Sequence, residues 1–144
     1  MLIVRRNSES GLSLLELMIC CVIIGVFSAT ALPLSKNFVK SKKEDALNER
    51  LSEMRKAIDK YCEKMKLAKP GLSEKDCYPE KLEDMVNARV IRRIPVDPMT
   101  SRSDWRTISF TDLPDAPVSD GYNVYDIRSI STDTAFNGSK YSSW

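Results

Sequence analysis

Histidine is missing from all 144 residues. Its absence removes serine–histidine and cysteine–histidine nucleophile pairs, and every zinc site that needs imidazole. The chain also lacks a glycine-rich phosphate loop, a Gly-x-Ser-x-Gly elbow and a Cys-x-x-Cys pair. Any catalysis would rest on carboxylates, lysines or cysteines alone. A formal net charge of +2 gives no general attraction to polyanions, so no nucleic-acid partner is expected. Charge is also scarce locally. Residues 12–34 hold one ionisable acid, Glu16, and no base, whereas residues 1–11 hold Arg5, Arg6 and Glu9, and the chain after Ser35 is dense in charge. The length suits one small domain plus an anchor.

What is present begins with that apolar run. Leu12 to Leu34 would span about 34 Å as a helix, matching a hydrocarbon core of ~30 Å. An ordinary secretory signal is the first alternative. Against it, the run exceeds the usual signal core of roughly 7–15 residues and ends in "FSATALP", with no clean small-x-small site. A lipoprotein signal ending at Cys20 is the second. Its attachment site wants a small residue before the cysteine, and Ile19 stands there.

Glu16 needs its own account. An acid at membrane depth costs about 2.5–3.5 kcal/mol on insertion scales and is usually paired and functional. The nearest preceding cation is Arg6, ten residues back. A cut between Gly11 and Leu12 would place a free ammonium on Leu12, four residues from Glu16 and on the same helix face. One cut supplies the missing counter-charge, within a subunit or between neighbours.

The short basic leader, Gly11 and "LSLLELMICCVIIGVFSATALP" together resemble the class III signal of type IV pilins and type II secretion pseudopilins. The resemblance implies that residues 1–11 are a leader removed by a prepilin peptidase. It also implies that Leu12 becomes the N-methylated terminus, and that Glu16 is the acid used for assembly into a helical homopolymer. Leu12 departs from the phenylalanine common at that place in the family. Residues 12–34 would be the transmembrane, filament-core half of a long helix, single-pass in the inner membrane before assembly. The four lysines of "SKNFVKSKK" outnumber the two leader arginines, so charge counting does not orient the chain. The resemblance alone places residues 35–144 in the periplasm.

Residues 35–66 read as the amphipathic half of that helix. Leu47, Leu51, Met54, Ile58, Tyr61 and Met65 step by four and three along one face. Fewer than three heptads is short for a free coiled coil, so the chain's own carboxyl-terminal region is the expected cover. A helix from Leu12 to Met65 would be about 80 Å long, which suits a subunit that stacks lengthwise. Gly25 and Pro33 are breakers in its first half. Proline removes an amide donor at a cost of about 3 kcal/mol. In related filaments this stretch unwinds locally. Gly25 and Ala29 form a small-xxx-small pair that permits close helix approach.

Residues 67–144 form the small globular region. Pro70-Gly71 signals a turn, residues 80–86 a short helix with Leu82 and Met85 inward, and 106–110 and 122–128 two strands. The expected class is α+β, pilin-like: one long amino-terminal α-helix packed on a small antiparallel sheet. "CYPEKLEDM", "RRIPVDPMTSRSDW" and "YDIRSIS" resemble, in that order, motifs of the major pseudopilin of type II secretion. Pro95, Asp97 and Pro98 read as a rigid turn in which Asp97 satisfies local amides.

Cys20 and Cys21 lie in the apolar run and act as small hydrophobes. Cys62 and Cys77 lie beyond it, and in an oxidising periplasm they are expected to pair. No cofactor is expected, with one candidate exception. The resemblance implies a calcium ion in a late loop, and the match of "DIRSISTD" carries over the Ile130 carbonyl and Asp133. The family's further acidic ligands are missing, and in their absence Phe136, Tyr141 and Trp144 would hold the tail by packing. The expected function is a structural filament subunit, not an enzyme: a major pseudopilin working with an inner-membrane assembly platform and minor pseudopilins. A surface type IV pilin, for adhesion, twitching or DNA uptake, is the alternative. The rival from another class, a membrane-anchored enzyme or binding module, would rest on Glu80, Glu83 and Asp84, which a solvated helix face explains.

Overall fold

A computed structural model describes residues 11, 13–113 and 118–144; within it the side chains of 29–34 lie outside the described set. The element order is α1 (Leu14–Ala68), α2 (Leu82–Asn87), β1 (Arg106–Ile108) and β2 (Asp126–Arg128), with short 3₁₀ turns at Glu74–Asp76 and Tyr141–Ser143. The chain divides into two units, Met1–Val39 and Lys40–Trp144.

The amino-terminal unit is the first part of α1. Every described side chain from Ser13 to Ser28 is exposed. The helix backbone runs through Gly25 and Pro33 without interruption. Among the described residues no helix is long and apolar enough to cross a membrane. The span expected at 12–34 reaches over Leu12 and the 29–34 side chains, which lie outside the described residues. The remaining apolar stretch, Leu14–Ser28, is about 22 Å long, short of a ~30 Å core.

The carboxyl-terminal unit is α+β, with the later part of α1 packed on a two-stranded antiparallel sheet. Its core is the stripe read from the sequence. Leu47, Leu51, Met54 and Ile58 are buried against Leu82, Met85, Trp105, Val124, Ile127 and Tyr141, while Tyr61 is half-buried. The helix outlasts the expected end at Met65 by three residues and gives way to a turn at Pro70-Gly71, where Gly71 takes φ +93°. That left-handed angle is open to glycine without the Cβ penalty.

Both strands are shorter than expected, because side chains replace ladder partners at their ends. Ser109 N–H donates to Asp112 Oδ2 (2.8 Å) and Phe110 N–H to Asn123 Oδ1 (2.9 Å), which ends β1 at Ile108. On the partner strand Tyr122 N–H donates to Asp120 Oδ1 (2.9 Å) and Val124 N–H to the Pro79 carbonyl (2.7 Å). Register pairs Arg106 with Arg128, Thr107 with Ile127 and Ile108 with Asp126. The short helix begins at Leu82 rather than Glu80. Asp84 Oδ2 accepts the Lys81 N–H (2.9 Å), fixing the entry two residues later. Leu82 and Met85 do face inward.

Candidate functional site

The amino-terminal site is a helix start. Ser13 Oγ accepts the Glu16 N–H (3.2 Å) and the Ser13 carbonyl accepts the Leu17 N–H (3.1 Å), the N-cap arrangement that satisfies two otherwise orphaned amides. Gly11 lies outside the helix and is exposed. A Cβ built on it meets nothing within 4 Å among the described residues. Among the described residues nothing requires glycine there. Leu12, the expected new terminus, lies outside the described residues. Glu16 is exposed one turn into α1, among Leu14, Leu15, Leu17, Met18 and Ile19, all at least half exposed. Its carboxylate has no ion pair or hydrogen bond among the described residues. Gly25, two turns further on, likewise has open space around it.

The second candidate site, the loop around Ile130 and Asp133, has a different character. Ile130 is 49 % exposed and Asp133 is exposed. The Asp133 carbonyl already accepts the Tyr141 N–H (3.1 Å), and the Thr134 carbonyl accepts Lys40 Nζ (2.6 Å). One helical turn on, Glu44 Oε1 accepts both the Phe136 N–H (3.1 Å) and the Tyr141 hydroxyl (2.8 Å). Lys40 and Glu44 thus grip the tail from adjacent turns of α1. Burial, then the Glu44 hydrogen bond, pushes the Tyr141 hydroxyl up to about 12. Calcium takes six to eight oxygens, several of them carboxylate. Asp133 is the one carboxylate from Ile127 to Trp144, and no group of three or more acids, cysteines or histidines gathers anywhere among the described residues. The residues present do not fit that ion. Of the three aromatics expected to pack the tail, Tyr141 is buried and meets Trp144 edge-on at 5.2 Å. Phe136 corrects the expectation. It is 54 % exposed, with Lys40 Nζ 4.5 Å from its ring centre, because Ala135 rather than Phe136 points inward.

Asp97 does more than a local turn requires. It is fully buried, takes the Met99 N–H on Oδ1 (2.7 Å), and takes the Ser129 hydroxyl on Oδ2 (2.6 Å). The Ser129 Oγ in turn accepts the Ser131 N–H (3.1 Å). The two motifs read separately in the sequence, Pro-x-Asp-Pro and Asp-Ile-x-Ser, are two halves of one contact. Sequence reasoning also missed Arg55, whose Nε donates to Asp126 Oδ1 (2.7 Å), joining α1 to β2. The signal was available: Lys40, Glu44 and Arg55 extend the same helix face as Leu47, Leu51 and Ile58. Cys62 and Cys77 form a disulfide, and Cys20 and Cys21 are free and exposed. Glu80 and Glu83 are solvated and Asp84 caps α2, so this acid cluster gathers no site.

Residues 6–32 match the family described as "Prokaryotic N-terminal methylation motif". No curated protein and no solved structure matches the chain. The motif marks pilin-like structural subunits and implies processing by a prepilin peptidase. It covers Gly11, Leu12, Glu16 and Gly25.

Proposed function

We propose that the protein is a structural subunit of a pilus-like filament, the major pseudopilin of a type II secretion system. A prepilin peptidase cuts after Gly11 and the Leu12 amine is methylated. The chain waits in the inner membrane through residues 12–34, with residues 35–144 in the periplasm. A platform complex and minor pseudopilins then feed it into a periplasmic polymer that helps drive export.

The observation that carries this reading is the methylation motif lying on a helix whose described side chains from Ser13 to Ser28 are all exposed, with Glu16 as their single charge. A row of uncovered apolar side chains requires a cover, either lipid or other copies of itself. In either setting an unpaired carboxylate is costly. The ammonium created at Leu12 offsets that cost, most specifically when it belongs to the neighbouring subunit. The open space at Gly11 fits the same picture, since the demand for glycine then comes from the processing enzyme. Gly25 and Pro33 supply a helix that can loosen in the assembled core.

The secretion assignment rests on the resemblance of "CYPEKLEDM", "RRIPVDPMTSRSDW" and "YDIRSIS", and the disulfide suits an oxidising compartment. Lys40 and Glu44 hold the tail through the Thr134 carbonyl, the Phe136 amide and the Tyr141 hydroxyl. Terminal sequencing and intact mass of the protein from cells tests the central claim. A methylated Leu12 is expected, and a chain still beginning at Met1 would sink it. Deletion of the gene separates the two polymers: a secretion defect is expected, whereas loss of surface pili with normal secretion identifies a type IV pilin.

A further inference from the structure

Two surfaces of the carboxyl-terminal unit carry charge and apolar area that its own fold does not use. One is an open groove of about 950 Å³ between α1 and the segment 90–96. Its floor is apolar, formed by Met54, Ala57 and Ile94, and Val96 on its rim is 51 % exposed. Lys56, Lys60, Arg92 and Arg93 line it, all exposed, and none has an ion pair or side-chain hydrogen bond among the described residues. Against these four cations the groove holds Glu53, which is already paired with Arg50 at 2.9 Å.

The other surface lies on the far flank of α1 and is a cluster of rings edged with acid. Tyr78 and Phe110 stack at 5.7 Å, and Tyr125 meets them edge-on at 5.1 and 5.4 Å. The cluster is only partly covered, with Phe110 39 % and Tyr125 46 % exposed. Burial first, then Tyr125 and the nearby charges of Asp59 and Glu74, raises the Tyr78 hydroxyl above its ordinary value. Both carboxylates are exposed, and neither has an ion pair or hydrogen bond among the described residues. Two cations of this flank are committed already. Asp126 holds Arg55, and Lys75 Nζ stands 5.9 Å from the Tyr122 ring centre. Ala57 in the groove and Asp59 beside the rings are about 200° apart around α1, so one copy cannot bring its two surfaces together.

Resting on the filament reading, we infer that the groove of one copy docks on the Tyr78–Phe110–Tyr125 face of the next. The rings cover the apolar floor, and Asp59 and Glu74 meet the cations of the rim. Arg92 and Arg93 gain most from this arrangement, because a guanidinium can lie on an aromatic face while it pairs with a carboxylate. Charge complementarity selects a second copy as the occupant: each copy offers unpaired cations on one flank and unpaired acids on the other. The two halves are different surfaces, so the contact is heterologous, and repeating it builds an open polymer rather than a closed dimer.

The test is a charge swap in the full-length chain within its assembling cells. Arg92→Glu with Arg93→Glu is expected to lower sedimentable polymer about tenfold or more, as are Asp59→Arg with Glu74→Arg and, separately, Tyr125→Ala. The four charge changes together are expected to restore most of it, which folding damage would not do. A carbodiimide, which joins amines to carboxylates in contact, supplies a second readout on the unaltered chain. It is expected to give a ladder on a denaturing gel whose dimer band contains Glu74 linked to Lys56 or Lys60, and Arg92→Glu with Arg93→Glu should remove that link. Filaments seen by microscopy without the link or the charge rescue would overturn this contact and leave the filament reading standing. The link without filaments would keep the contact and sink that reading; neither link nor filament would overturn both.

Discussion

The two units of this chain treat apolar side chains in opposite ways. From Leu14 to Phe27 the hydrophobes are exposed all round the helix, while from Leu47 to Ile58 they form one stripe buried by the chain itself. The second stretch is interleaved with charge at every turn and the first has Glu16 alone. A stripe can be covered by one layer of its own chain, whereas a helix that is apolar all round needs company on every side. The amino-terminal unit is written for its surroundings and the carboxyl-terminal unit for itself. Mutations should therefore separate assembly from folding.

The largest expected effect lies in the first unit and leaves the second untouched. Glu16→Val should abolish recoverable filament while the melting temperature of the purified chain stays at the wild-type value. Normal filament yield from that variant would erase the distinction. Next comes the core: Leu51→Ala or Ile58→Ala should cost about 2–5 kcal/mol in chemical denaturation, through lost burial and a residual cavity. Reduction of Cys62–Cys77 follows, at about 3 kcal/mol for a loop of this size. Mass spectrometry after alkylation should find Cys20 and Cys21 modified without reductant and all four cysteines only with it.

The smallest effects sharpen the account of the tail. Glu44→Ala leaves the buried Tyr141 hydroxyl unpaired and should cost about 1–3 kcal/mol, whereas adding or chelating calcium should not move the melting temperature. Tyr141 also gives the fold an alkaline limit. Its hydroxyl is raised to about 12, so it favours the folded state fully below the ordinary tyrosine value near 10. That contribution fades as pH climbs through about 12. Fluorescence of Trp144, edge-on to Tyr141, should report loosening of the tail across that interval.

Much of this was legible in the sequence because it is periodic or local. The stripe from Leu47 to Ile58 follows from a three-and-four spacing, the turn from Pro70-Gly71, and the inward faces of Leu82 and Met85 from their separation. Strand ends were not legible, since Asp112 and Asn123 take backbone amides that periodicity assigns to a ladder. The Asp97–Ser129 bond was invisible for another reason: each partner has a satisfactory local explanation, and their sequence separation of 32 residues hides the meeting. Phe136 misled because hydrophobicity says that a ring wants cover without saying that a lysine will supply it.

Lys40, Glu44, Leu51, Arg55, Ile58 and Cys62 fall within an arc of about 60° on α1, spread over about 33 Å of its length. Traction applied along the helix axis would strain these fastenings side by side, in shear, instead of peeling them one after another. Shear of parallel attachments demands that several yield at once, and the last of them, at Cys62, is covalent.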